Sequence, residues 1–221
     1  MPKKVIEMNE KFFKICKIST TSLMSLVEDI LDLAKIEAGT FSLNEQLFEI
    51  RSLIEDIRYA FEFQCEQKGI YFKIELDHSL LDDTFCSDVG RIKQVLNNLI
   101  SNACKFTLQG GITLYISLKT IFDSDSFERV KYLKFRVSDT GVGVDKKEIP
   151  KLFKIFGMIG QHRNKLNAKG TGLGLAISKK LVESLGGKIT LKSELNIGTS
   201  IDFTIKEKKV ENIRHEEEKG M

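Results

Sequence analysis

The sequence lacks the features that mark membrane-spanning, secreted and zinc-binding proteins. No apolar run approaches the length needed to cross a bilayer, and the lysine-rich start lacks the apolar core of a signal peptide. The cysteines form no CxxC pair and have no histidine at ligand spacing, so neither a disulfide framework nor a zinc site is predicted. We therefore expect a reducing, cytoplasmic environment for Cys16, Cys65, Cys86 and Cys104.

The chain also lacks a large net charge of either sign. The chain has 34 Lys and Arg against 31 Asp and Glu, a formal net charge of +3, which is too mild to indicate a nucleic-acid or membrane partner. A chain of 221 residues can form one compact domain with a helical extension, whereas two full domains would be crowded.

Residues 5–36 predict one long helix. Residues 5–36 contain neither Gly nor Pro, and Gly39 follows where a helix would end. The helix needs a partner for its apolar stripe, either a second copy of itself or a neighbouring helix, and we expect a homodimer through it. Folding back onto its own domain remains the alternative. The stripe consists of Phe12, Ile15, Ile18, Leu23, Leu26, Val27, Ile30, Leu33 and Ala34.

The rest of the chain predicts an α+β fold. Short alternating segments separated by helices are typical of a two-layer α/β sandwich, a mixed sheet covered on one face by helices and preceded here by the long bundle-forming helix. We expect strands over 41–47, 70–76, 112–118, 132–138, 188–192 and 199–205, and helices over 50–67, 88–105 and 171–185. Residues 144–170 are interpreted as a mobile lid.

The helix predicted over 88–105 carries an unusual polar row. Asn98, Asn102 and Lys105 are spaced by four and three residues, which places them on one face beside the apolar stripe. Amide oxygens can hold a metal ion, and an ammonium group can neutralise phosphate. The alternative is two asparagines bonded to the backbone and a solvated lysine.

A carboxylate follows the strand predicted over 132–138. By alternation Asp139 continues the apolar side of this strand, where a charge is costly unless a ligand or the protein bonds to it. The amino group of adenine would satisfy it, and Gly141 and Gly143 would let the chain turn tightly near a ligand. An ordinary turn with an Asx cap is the alternative.

Two further glycine segments complete the pattern. Residues 170–175 (GTGLGL) open a helix, whose exposed amides attract phosphate, and residues 198–200 (GTS) introduce the last strand, where a simple hairpin turn is the alternative. No Gly-Lys-Ser/Thr follows, so this is not a Walker loop, and residue 146 is Lys where a dinucleotide fingerprint needs glycine.

In this order, the segments RIKQVLNNLISNACKFT, DTGVG, LFKIF, GTGLGL and GTS resemble the catalytic domain of sensor histidine kinases, in the superfamily that includes gyrase, Hsp90 and MutL. The resemblance implies ATP and Mg²⁺ as cofactors, with Asn102 on the metal and with Asn98 and Lys105 as catalytic residues at the phosphates. It also implies an adenine contact at Asp139. The implied nucleotide-binding set is completed by Gly141, Gly143, Phe153, Phe156, Gly170, Thr171, Gly172, Leu173, Gly174 and Thr199, with Phe153 and Phe156 anchoring the lid. Ile155 replaces a proline that is frequent in the family.

The long helix, with the segment SLMSLVEDILDLAKIEAGTFSLN, resembles the second helix of the dimerisation and phosphoacceptor bundle found in hybrid kinases. This implies three regions: 1–39 as that helix, 40–206 as the ATP-binding domain and 207–221 as a disordered charged tail. The family's phosphoacceptor histidine lies on a first bundle helix, which we expect this chain to lack. His78, His162 and His215 do not match its motif and are interpreted as surface residues.

The implied function is transfer of the ATP γ-phosphoryl group to a histidine on a bundle helix outside this chain, so that the isolated chain would not phosphorylate itself. The implied partners are that bundle helix and a receiver domain of a response regulator or hybrid kinase, with no nucleic acid. Related ATPases carry a carboxylate base where this chain has Asn98, and an amide cannot accept a proton, so hydrolysis should be slow. The alternatives are such a slow ATPase, or a regulatory or dimerisation module without catalysis.

Overall fold

The computed structural model describes residues 3–77, 80, 83–123, 127–154, 157 and 172–208. The chain divides into two units, residues 1–41 and 42–221. The first unit is the helix α1 (Lys3–Glu37), which confirms the long helix predicted from the absence of glycine and proline. Its end is fixed by Gly39, whose φ of 68° is left-handed, the conformation that glycine adopts most easily at a helix C-terminus.

The second unit is built on a five-stranded mixed sheet. Its strands are β2 (Tyr71–Leu76), β4 (Gly111–Asp123), β5 (Glu128–Asp139), β6 (Ile189–Glu194) and β7 (Gly198–Lys206), in the order β2-β4-β5-β7-β6. β2 and β4 are parallel, and the other neighbours are antiparallel. The predicted mixed sheet is therefore confirmed.

Three helices cover one face of this sheet: α2 (Ile50–Gln67), α3 (Val89–Phe106) and α5 (Gly174–Ser184). The core lies between the layers, where Phe135 and Phe203 stack with ring centroids 4.7 Å apart. On the opposite face, Asp202 forms ion pairs with Lys134 and Arg136. The alternation of apolar and polar residues along β4 and β5 thus separates core from solvent, as predicted for the two-layer α+β fold.

A second, two-stranded sheet was not predicted. β1 (Gln46–Glu49) pairs with β3 (Thr84–Ser87) in antiparallel fashion, with Phe48 opposite Phe85. The predicted strand over 41–47 is wrong, because only its last two residues belong to β1. β3 has just four residues, too few for its alternation to stand out in the sequence.

Several predicted ends also shift. β4 and β5 form a longer hairpin than expected, and α5 begins at Gly174. A short helix, α4 (Ile149–Leu152), lies in the segment interpreted as a lid, most of which falls outside the described residues. Glu207 and Lys208 were predicted to belong to the disordered tail, but their backbone N–H groups hydrogen-bond to carbonyl groups of the second unit. The rest of that predicted tail, residues 209–221, lies outside the described residues. No helix in the described ranges is long and apolar enough to cross a membrane.

Candidate functional site

Helix α3 carries the polar row. A cap at its N-terminus and a buried apolar face hold this helix in position. Asp88 caps the helix: one carboxylate oxygen accepts the Arg91 N–H at 3.0 Å and the other accepts the Asn44 N–H at 2.8 Å. The predicted apolar stripe is buried and consists of Ile92, Val95, Leu96, Leu99 and Ala103; Ile100, which was not predicted, is buried as well. Because the stripe is held in the core, the half-buried Asn98, Asn102 and Lys105 are held at its edge.

The two asparagines form a hydrogen-bonded chain that ends on α5. Asn102 Nδ2 donates to Asn98 Oδ1 at 3.3 Å, and Asn98 Nδ2 donates to Ser178 Oγ at 2.7 Å. No donor among the described residues binds Asn102 Oδ1. This oxygen is therefore available to a hard cation such as Mg²⁺, which prefers oxygen ligands.

Asp139 is the last residue of β5 and lies on its apolar side, as the alternation predicts. Its Oδ1 accepts the N–H groups of Gly141 at 2.8 Å and Thr199 at 3.3 Å. Burial raises the pKa of this carboxyl group, and the two backbone hydrogen bonds oppose that rise. Within the described ranges no donor reaches Oδ2, which leaves a half-buried carboxylate oxygen for a ligand N–H group.

The turn after Asp139 touches the end of α3. Val142 N donates to the Phe106 carbonyl at 3.2 Å, and a Cβ atom on Gly141 would lie 2.6 Å from that same oxygen. Gly143 has a φ of 65° and packs against the Glu194 backbone, where a Cβ atom would collide. The turn therefore requires both glycines, and it brings Asp139 to the end of α3 that carries Lys105.

Lys105 stands in the last turn of α3, next to Phe106. Burial lowers the pKa of its ammonium group, and its Nζ lies 4.9 Å from the centroid of the Phe106 ring. Burial penalises a charged group, and no carboxylate among the described residues forms an ion pair with Lys105, so a bound phosphate would compensate this penalty.

The start of α5 faces the asparagines. Leu173 is buried, Gly172 has a φ of 71°, and a Cβ atom on Gly174 would collide with the Asn98 amide. The glycine pattern predicted as a phosphate loop therefore lets α5 approach α3 closely. Gly170 and Thr171 lie outside the described residues.

The remaining predicted residues divide into three groups. Thr199 joins the Asp139 cluster through its backbone N–H. Phe153 follows α4 as its C-cap, and in the part of the chain described here no hydrogen bond or ring contact links it to the other site residues. The described ranges do not include Phe156, Ile155 or the three histidines, so the roles predicted for these residues stay predictions.

Ser178 is a site residue that sequence reasoning missed. It is 2% exposed and follows Ala176 and Ile177 on the buried face of α5. A single hydroxyl group within an apolar stripe was the available signal, because a buried hydroxyl needs a hydrogen-bond partner.

Comparisons with known proteins identify the family to which this fold belongs. Residues 87–209, more than half of the chain, match the model of the "Histidine kinase-, DNA gyrase B-, and HSP90-like ATPase" family. The virulence sensor protein BvgS of Bordetella bronchiseptica is 36% identical over 200 residues, which cover 90% of this chain and 16% of that protein. The chain thus spans about a sixth of the length of this relative.

Two solved structures are similar in both fold and sequence. Full-length ShkA, crystallised in complex with AMPPNP, superposes with a TM-score of 0.68 and 28% identity, over 89% of this chain and 38% of that one. The catalytic domain of the histidine kinase ThkA gives a TM-score of 0.58 and 28% identity, over 74% of this chain and 98% of that one. The match therefore covers almost the whole of that catalytic domain.

Proposed function

Because the chain belongs to the histidine kinase-, DNA gyrase B- and HSP90-like ATPase family, we propose that it is the ATP-binding catalytic part of a two-component sensor histidine kinase. The observation that carries this proposal is the hydrogen bond from Val142 N to the Phe106 carbonyl. It joins the turn after Asp139 to the end of α3, so that one nucleotide can contact both the Asp139 carboxylate and the polar row of α3.

Asp139 would bind the adenine ring. Its Oδ2 would accept a hydrogen bond from the adenine amino group while Oδ1 remains held by Gly141 and Thr199. Such a bond to a charged acceptor in a half-buried site is stronger than a neutral one. The close packing at Gly141 and Gly143 leaves no room for side chains beside the base.

The polar row of α3 would bind the triphosphate and its metal ion. Asn102 Oδ1 would ligate Mg²⁺, and Lys105 would neutralise phosphate oxygens, which offsets the burial of its ammonium group. Gly172 and Gly174 would allow the phosphates to approach the backbone at the start of α5. Mg²⁺ supplies charge neutralisation at the phosphates when it is bound.

The reaction transfers the γ-phosphoryl group to a neutral imidazole nitrogen on a bundle helix outside the described chain. The bond from γ-phosphorus to the bridging oxygen breaks, a phosphorus–nitrogen bond forms, and ADP leaves. The protein's part is to position the groups and to stabilise the developing charge. A receiver domain would accept the phosphoryl group afterwards.

The state of Asn98 supports transfer over hydrolysis. Both ends of its amide are engaged, Nδ2 with Ser178 and Oδ1 with Asn102, and an amide cannot deprotonate water. Without a base at this position, water is a poor competitor of an incoming histidine.

The first unit supports dimerisation with a second copy. Helix α1 exposes Leu23, Val27 and Ile30, which recur at i, i+4 and i+7 and form an apolar stripe in water. Two copies would bury this stripe against each other. Sedimentation of the full chain tests this: we expect a dimer that Val27→Glu dissociates and that Phe63→Glu, at an exposed aromatic on α2, does not.

The phosphotransfer test supplies a separate histidine-bearing bundle with γ-labelled ATP and Mg²⁺. We expect an acid-labile, base-stable label on the bundle that Asn102→Ala abolishes. Asn97→Ala is the matched control, because Asn97 is the same residue type on the same helix but is exposed. Label on this chain in the absence of the bundle, or equal loss in both variants, would contradict the proposal.

A further inference from the structure

Two cysteines that are 39 positions apart in sequence meet between α2 and α3. Cys65 lies in the last turn of α2 and Cys104 in the last turn of α3, with their Sγ atoms 3.3 Å apart. Cys65 is 1% exposed, whereas Cys104 is half-buried and open to small molecules. Both thiols are free.

This pair adjoins the candidate nucleotide site along α3. Cys104 is adjacent to Lys105 and two residues from Asn102, and Lys68 Nζ donates to the carbonyls of Cys104 and Lys105. The ends of α2 and α3 are therefore already tied together at this point. On its other side α3 packs against α5, where Asn98 bonds to Ser178.

We propose that Cys65 and Cys104 form a disulfide when a peroxide oxidises them, and that this bond weakens nucleotide binding. The two sulfur atoms must close from 3.3 Å to about 2.05 Å. The shift draws the end of α3 towards α2, away from the α5 contact that orients the asparagines. The consequence for the nucleotide rests on the proposed function, whereas formation of the disulfide does not.

The chemistry balances with hydrogen peroxide as oxidant. The Cys104 thiolate attacks one peroxide oxygen, the O–O bond breaks, and a sulfenic acid and hydroxide form; the hydroxide becomes water by taking up the proton that the thiol released. The Cys65 thiolate then attacks that sulfur, the S–S bond forms, and hydroxide leaves as water. Two thiols and one peroxide thus give one disulfide and two waters, with two electrons passing from sulfur to oxygen.

Burial limits the access of peroxide to this site, because Cys65 is 1% exposed and Cys104 is half-buried. The pair would therefore respond to sustained oxidation and not to trace peroxide.

The experiment treats the full chain, carrying Cys16→Ser to prevent cross-linking through that exposed thiol, with hydrogen peroxide. Free thiols are then alkylated, and the disulfide is identified by peptide mass. We expect a Cys65–Cys104 bond that Cys104→Ser abolishes and that Cys86→Ser, at a buried cysteine in β3, leaves unchanged. Cys65→Ala gives a second test at the other thiol.

Calorimetry then compares ATP binding by the oxidised and reduced protein. We expect binding about tenfold weaker after oxidation, because displacements of about 1 Å in a preorganised site have large effects, and full recovery after dithiothreitol. Thiols that stay reduced, a different pairing, or an unchanged affinity in the oxidised protein would overturn the proposal. Failure of the reduced protein to bind ATP would instead refute the proposed function, and the peptide masses would still decide the disulfide.

Discussion

Asn98 Nδ2 donates a hydrogen bond to Ser178 Oγ across 2.7 Å and so joins the helix with the polar row to the helix that follows the glycine loop. With its nitrogen engaged there, Asn98 presents Oδ1 to Asn102 Nδ2. Among the described residues no donor binds Asn102 Oδ1, so the buried Ser178 supports, through Asn98, the amide that carries the proposed metal ligand.

Ser178→Ala should weaken binding of MgATP by roughly three- to tenfold, the effect of losing one buried hydrogen bond. The loss should be smaller when EDTA removes the metal ion, because the serine acts through the Asn102 oxygen. Calorimetry with and without Mg²⁺ measures both values. Ser101→Ala, on the exposed face of α3, is the matched control. Equal losses with and without the metal ion would argue against the orienting role.

Gly174→Ala should weaken MgATP binding although alanine is the better helix former by about 1 kcal/mol. The added Cβ would collide with the Asn98 amide and separate α5 from α3. Gly90→Ala is the control, since it is also helical and its Cβ would meet only Asp88 Oδ1 at 3.3 Å. Titration with nucleotide compares the two variants. Intact affinity in Gly174→Ala would mean that the Asn98 position does not matter.

Phe203→Ala should destabilise the second unit by about 3–5 kcal/mol, the usual cost of removing a buried aromatic ring. Phe203 is 1% exposed and stacks on Phe135. Urea unfolding measures the free energy. Phe63→Ala, at a ring 66% exposed, should change it by less than about 0.5 kcal/mol. Similar values for both variants would show that the stacked pair is not central to the core.

Sequence periodicity was sufficient to predict features that depend on a single helix or strand. The stripe from Ile92 to Ala103 defines both the buried face of α3 and the edge on which Asn98 and Asn102 lie. The position of Asp139 follows from strand alternation alone. These features depend on neighbours within about one helical turn or two strand residues, so they can be predicted without knowledge of the tertiary fold.

Features that depend on distant contacts were not predictable. The pairing of β1 with β3, the bond between Asn98 and Ser178, and the meeting of Cys65 with Cys104 all join residues that are far apart in sequence. Periodicity carries no information about which elements become neighbours. No disulfide framework was predicted because the cysteines form no CxxC pair, yet α2 and α3 bring Cys65 and Cys104 into contact.

Asp139→Asn should lower ATP affinity by roughly ten- to a hundredfold, because a hydrogen bond to a charged acceptor is lost and an amide NH₂ group would face the adenine amino group. Calorimetry of the reduced, full chain measures this effect. Asp145→Asn, in the loop that follows, is a control that removes an exposed carboxylate. An unchanged affinity would remove Asp139 from the adenine site.

The same variant should be more stable than the parent when no nucleotide is present, with a defined pH dependence. Burial raises the folded-state pKa of Asp139, so the folded protein binds more protons than the unfolded chain between the ordinary carboxyl pKa of about 3.9 and the raised value. The free energy of unfolding of the parent therefore falls as pH rises through this window, whereas Asp139→Asn lacks that fall. Urea unfolding at a series of pH values should show a difference that is small at acid pH and reaches its full size above the folded-state pKa. A variant that becomes less stable than the parent as pH rises would mean that the Gly141 and Thr199 amides outweigh burial, and that the carboxylate is a structural anchor instead of a strained ligand for the base.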